Sequence, residues 1–189
     1  MEIRAEDDRA LTDRLRRRER GAFDELYRLH HERIWAFLVR LCGRRDDAED
    51  LFQETWCQAA KHAHRLEEGS RLLPWLFTIA RNEHRSARRF VLFDFRKREA
   101  FAAEPLPASA APDDALARRR EVARVEEALA ALSDAEREVL LLASVEGLGA
   151  AEIAPILGLR EDAVRKRLSR ARAALAARLG RHEAQEKSP

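Results

Sequence analysis

The sequence predicts an all-α protein built as two small helical domains joined by an extended linker. Three observations carry this prediction. Apolar residues recur at helical spacing across both ends of the chain. Seven glycines and a single tyrosine in 189 residues disfavour an all-β chain. The stretch REAFAAEPLPASAAPDDAL sets Pro105, Pro107 and Pro112 among alanines and acids, which discourages any regular element. The expected boundaries are 1–95 for the first domain, 96–116 for the linker, 117–180 for the second domain and 181–189 for a frayed polar tail.

The first domain opens its pattern at Ala22. Phe23, Leu26, Tyr27, Ile34, Phe37, Leu38 and Leu41 form one apolar stripe, and Gly43 ends that helix. Asp46 with Glu49 three residues on reads as a capping box, opening a helix that buries Ala48, Leu51, Phe52, Thr55, Trp56 and Ala59. On its other side Asp47, Asp50, Gln53 and Glu54 share an acid and amide face suited to a basic partner. A polar loop at 66–73 leads into a third helix with Trp75, Leu76, Ile79 and Ala80 inward. Arg81, Arg85 and Arg88, with Arg89 beside them, make a cationic stripe on another face of that helix.

The second domain begins with a helix around 122–132. Ser133 and Glu136 then form a capping box for a helix running to Val145. Residues 147–175 read as two short helices around a tight turn, the layout of a DNA-reading helix-turn-helix. Ile153, Ala154, Ile156 and Leu157 make the first apolar stripe, Gly158 the turn, and Leu159 re-enters the core. Val164, Leu168, Ala171 and Leu175 recur on the second helix and leave Glu161, Asp162, Arg165, Lys166, Ser169 and Arg172 facing solvent. Pro155 removes one backbone bond and is expected to bend the first of these helices.

The formal net charge of +2 does not by itself announce a nucleic-acid partner. Its distribution does: residues 160–172 gather Arg160, Arg165, Lys166, Arg167, Arg170 and Arg172, whereas 46–54 hold only acids, which suggests two partners of opposite charge. No apolar run approaches the roughly 20 residues that span a bilayer, so a cytoplasmic protein is expected. Cys42 and Cys57 lie among apolar neighbours and read as buried thiols, and the histidines as surface residues. His62 and His64 point to different sides of a helix, so no metal is expected, and no nucleophile elbow, phosphate loop or cofactor motif occurs.

Four segments in order, AFDELYRLHHERIWAFLVRLCG, DAEDLFQETW, WLFTIARNEHRSARR and LSDAEREVLLLASVEGLGAAEIAPILGLREDAVRKRLSRARAAL, resemble bacterial sigma factors of the extracytoplasmic-function type. The resemblance implies sigma domains two and four, no active site of the chain's own, and a role in bringing RNA polymerase core to promoters and melting them. It implies that Asp47, Asp50, Gln53 and Glu54 meet the clamp helices of the largest polymerase subunit, with the flap region as a further contact. The loop at 66–73 would frame a flipped minus-ten base, with Asn82 offering amide bonds and Arg81, Arg85, Arg88 and Arg89 holding phosphates. Trp75 is read as core. Arg160, Glu161, Asp162, Arg165, Lys166, Ser169 and Arg170 would meet the minus-thirty-five element, Arg165 and Lys166 foremost at base edges. The linker would thread toward the polymerase cleft, its Glu104, Asp113 and Asp114 making it a weak nucleic-acid mimic, with a passive tether as the equal alternative, and an anti-sigma factor is the expected regulator.

Three features depart from the family pattern. Glu83 stands where an apolar residue is usual, Ala163 where a hydroxyl is, and Leu72, Leu73 and Pro74 alter the base-capture segment. The aromatic run 90–101 is expected to extend the third helix or to dock the domains. The alternative to a sigma factor is a stand-alone helix-turn-helix regulator binding duplex operators.

Overall fold

A computed structural model describes the backbone of residues 5–94 and 113–186 and the side chains of 8–89 and 121–180. The chain divides into two units, Met1–Phe101 and Ala102–Pro189. Among the described residues every regular element is helical. Residues 95–112, which include the expected linker from 96 to 112, lie outside the described residues, and with them most of the aromatic run.

The first unit holds α1 (Ala5–Arg16), α2 (Ala22–Cys42), α3 (Arg45–His62), a short 3-10 turn (Ala63–Arg65) and α4 (Leu72–Asp94). The α1 helix was not anticipated from the sequence, although Leu11 and Leu15 four residues apart are its buried ridge. Leu26, Ile34, Phe37, Leu38 and Leu41 carry the α2 stripe into the core as expected, and Phe37 meets Phe77 of α4 edge-to-face at 5.0 Å. Tyr27 departs from that stripe and is 40% exposed, while His30 takes a core position at 2%. His84 is buried too, so two of the histidines are core rather than surface residues. Both lie on core-facing stripes, where helical spacing overrides polarity.

The α3 helix starts one residue before the expected cap. Arg44 occupies the cap position without a side-chain bond, Asp46 lies in the first turn, and Glu49 accepts from Arg45 Nε at 3.0 Å instead. The acids therefore serve the helix dipole, not a capping box. Cys57 is exposed and Cys42 half-buried, against the expectation of two buried thiols. Position 57 falls four residues after Gln53, on the solvent side of α3.

The second unit holds α5 (Asp113–Ala130), α6 (Asp134–Leu140) passing into a π turn (Leu141–Val145), α7 (Ala150–Leu157) and α8 (Glu161–Glu186). The α5 helix claims the last four residues assigned to the linker, Asp113 to Leu116. Ser133 and Glu136 form the expected reciprocal cap. Arg137, one residue on, is buried and donates to the carbonyls of Leu129 (2.9 Å), Ala130 (2.5 Å) and Leu132 (3.1 Å). One guanidinium thus satisfies the orphan carbonyls at the end of α5.

The α7 helix runs through Pro155, which is exposed, as is Ala151, whose carbonyl loses its partner to the proline. Gly158 then adopts φ 63°, and the Leu159 N–H reaches the Ala154 carbonyl at 2.9 Å, a Schellman stop. Val164 and Ala171 are buried against the rest of the unit, with Leu168 and Leu175 half-buried. The second helix is long rather than short and continues to Glu186, into the tail expected to fray after Leu179.

Candidate functional site

The outward side of α3 is acidic. Asp46, Asp47, Glu49, Asp50 and Gln53 are exposed, while Ala48, Leu51, Thr55 and Ala59 anchor the opposite side. Thr55 satisfies its hydroxyl on the Leu51 carbonyl at 2.6 Å. Glu54 differs from its expected companions. It is half-buried, accepts from Gln58 Nε2 at 2.6 Å, and faces α4 closely enough to act on Glu83. Burial pushes the Glu83 carboxyl up, and the Glu54 charge adds to the rise. The free acid surface is therefore centred on Asp50 and Gln53. Arg44 Nε lies 3.7 Å from Asp47, a surface pair of small energy.

An aromatic seam that single-helix periodicity did not reveal lies between α2 and α3. Tyr27 packs on Trp56 with centroids 4.7 Å apart and stacks on His31 at 5.0 Å; Trp35 meets Phe52 edge-on at 5.6 Å. Arg45 lies over the Trp35 ring at 5.7 Å. Tyr27, Trp35 and Phe52 all keep exposed surface, so the seam borders the acidic face with half-buried rings. The spacing of Tyr27, His31 and Trp35 at i, i+4 and i+8 was the available signal.

The segment between the 3-10 turn and α4 is a tight loop. The Ser70 N–H bonds the Glu67 carbonyl at 3.1 Å, and Gly69 at φ 76° supplies the left-handed corner such a turn requires. Leu66 and Leu72 pin its ends into the core. On α4 the buried stripe runs through Leu73, Leu76, Phe77, Ala80, Arg81 and His84. That phase corrects two expectations. Trp75 and Ile79 fall at the stripe's edge and are half-buried, and Arg81 is 7% exposed, so it does not belong to the outward cationic stripe. Its position four residues after Phe77 lays the arginine stem along the core. Asn82, Arg85, Arg88 and Arg89 are exposed.

The start of α8 presents Arg160, Glu161, Asp162, Arg165, Lys166, Ser169 and Arg170, all exposed. These residues are not equivalent. Arg165 Nη1 donates to Glu161 at 3.1 Å and Nη2 to Asp162 at 2.8 Å, while Arg160 lies 3.7 Å from Asp162. A helical side chain leans toward its N-terminus, so the two carboxylates draw the Arg165 guanidinium over the first turn. Two of its five N–H donors are taken, and three remain. Lys166, Ser169 and Arg170 continue the surface toward the C-terminus.

The comparisons with known proteins match this division. The model of Sigma-70 region 2 matches residues 26–90 and that of Sigma-70 region 4 matches residues 123–175. The RNA polymerase sigma factor CarQ of Myxococcus xanthus is 36% identical over 161 residues, covering 84% of this chain and 89% of CarQ. The RNA polymerase sigma factor NccH of Alcaligenes xylosoxydans xylosoxydans is 32% identical over 176 residues, covering 91% and 94%. Among solved structures, the sigma factor RpoE in complex with the anti-sigma factor NepR from Bartonella quintana superposes with a TM-score of 0.71 at 30% identity, covering 85% of this chain and 98% of that one. With an acidic helix face in the first matched region and a basic helix start in the second, the chain belongs to the extracytoplasmic-function sigma factors of RNA polymerase.

Proposed function

We propose that this sigma factor grips polymerase and promoter through three surfaces with separate tasks. The acidic face of α3, centred on Asp50 and Gln53 with Asp47 and Glu54 at its edge and the aromatic seam beside it, binds the basic clamp helices of the largest polymerase subunit. Opposite charge speeds that encounter, and the half-buried rings supply desolvated contact area. The Leu66–Leu73 loop with Asn82, Arg85, Arg88 and Arg89 holds the opened minus-ten strand: an unpaired base needs a pocket and its backbone needs cations. The first turns of α8 enter the major groove at minus-thirty-five, with Arg165 at a base edge and Lys166 and Arg170 on phosphates. Region 4 also contacts the polymerase flap.

The chain contributes binding and positioning, and bond formation belongs to the polymerase. No helix among the described residues is long and apolar enough to cross a membrane. A cytoplasmic protein restrained by an anti-sigma factor fits, as in the RpoE complex. The observation that carries the reading is the opposition of charge: an exposed acidic helix face in region 2, an exposed basic helix start in region 4. A stand-alone operator-binding regulator leaves the acidic face without a task.

Run-off transcription with core polymerase and a genomic library tests the reading. Promoter-dependent stimulation is expected, lost on Asp50→Arg. Transcription indifferent to the added chain rules it out.

A further inference from the structure

The loop that this reading assigns to the minus-ten base is not free-standing. Three residues along it are attached to α1. Glu68 Oε1 accepts from Arg9 Nη2 at 2.6 Å, the Ser70 carbonyl lies 3.2 Å from Thr12 Oγ1, and the Leu72 N–H, in the first turn of α4, donates to Asp8 Oδ2 at 3.4 Å. The intervening Glu67, Gly69 and Arg71 are exposed. Thr12 is fully buried, between the Ser70 carbonyl and its own helix's Asp8 carbonyl at 2.7 Å, and Leu11 and Leu15 seat α1 in the core. The bond partners lie 58 to 64 residues apart in sequence, so these contacts are tertiary, not local. The Arg9 partner also holds the Glu68 carboxyl below the usual carboxylate range, which keeps that side of the loop anionic and paired.

We propose that α1 is a strut that sets the shape of the Leu66–Leu73 loop before DNA arrives, and that Asp8, Arg9 and Thr12 are positioning residues for promoter opening. The inference rests on the minus-ten reading of that loop. A pocket for a flipped base is effective only if its walls are already ordered, because ordering a loop at the moment of binding subtracts from the binding free energy. The five residues from Glu67 to Arg71 that join Leu66 to α4 would otherwise fluctuate. Attachments at 68, 70 and 72 fix one edge of the loop, with Glu67 and Gly69 exposed beside them.

The test uses the full chain and its holoenzyme. Amide hydrogen exchange is measured for 67–72 in wild type, Arg9→Ala, Asp8→Ala and Thr12→Val, and duplex opening is followed by 2-aminopurine fluorescence in a minus-ten element. Exchange in the loop is expected to quicken about tenfold in Asp8→Ala and Thr12→Val and about twofold in Arg9→Ala. Exchange in α2 and α3 and affinity for core polymerase should stay within twofold, while opening slows in the same order. Arg9→Glu combined with Glu68→Arg should recover most of what Arg9→Glu loses. Should Thr12→Val melt below the assay temperature, the exposed Arg9 pair and its charge swap carry the test. Unchanged loop exchange overturns the strut. Quicker exchange with unchanged opening overturns its functional role. If opening also ignores Arg71→Ala within the loop, the minus-ten reading itself has failed, an outcome that exchange alone cannot produce.

Discussion

Arg165 and Lys166 adjoin in sequence, and both are exposed cations on α8, yet the structure gives them different physics. Two carboxylates hold the Arg165 guanidinium in one orientation, and a fixed planar fork is what base-edge recognition demands. Arg165→Ala should therefore flatten sequence preference at one position of the minus-thirty-five element by about 1–3 kcal/mol, read from in vitro selection with holoenzyme. Lys166→Ala should weaken binding to all sequences alike and reduce the salt-dependence slope by about 1.

At the same scale, His30 is a liability within the core: it is 2% exposed and neither ring nitrogen has a hydrogen-bond partner. Burial, with Arg33 nearby, lowers its pKa from 6.5 to about 4. The unfolded chain takes up this proton more readily than the folded one, so stability is complete above pH 6.5 and falls as pH drops toward 4. The loss is about 3 kcal/mol across that window, visible as a falling urea midpoint. His30→Leu should remove this part of the pH dependence.

Elements are held by contacts that sequence spacing alone does not reveal. Arg137 was invisible as a structural residue because it follows a capping box and reads as one more surface cation. Its three carbonyl acceptors lie five to eight residues earlier, at the end of α5. Arg137→Ala should lower the stability of region 4 by about 2–4 kcal/mol, because two part-buried carbonyls and the buried one of Leu132 lose a charged donor. Arg137→Lys should recover little, since an ammonium lacks the planar fork. The α3 face offers a native reporter in Cys57, exposed one turn after Gln53. Maleimide labelling of Cys57 in a Cys42→Ala background should reduce affinity for core polymerase at least tenfold, and bound core should protect the thiol. Equal labelling rates with and without core would place polymerase on another face.

For the molecule as a whole, helix content, the two-domain division and the charge opposition between regions 2 and 4 were legible from the sequence, because periodicity, capping pairs and glycine stops act within a few residues. The Ser133–Glu136 cap and the Gly158 stop are local chemistry and occur where the spacing put them. What failed was the phase of a stripe or the reach of a long side chain. Arg81 and Trp75 differ from expectation by roughly one residue's rotation about α4, and that rotation is chosen by Phe37 and Phe77 packing across helices. Glu54 turns from partner surface to α4 neighbour for the same reason. The α1 helix escaped notice because its short apolar ridge is meaningful only against a distant loop. Sequence by itself determined which helices form, where they stop and which charge each face carries. Tertiary structure alone decided which charged side chains are free to meet a partner, because burial depends on contacts between residues far apart in the chain.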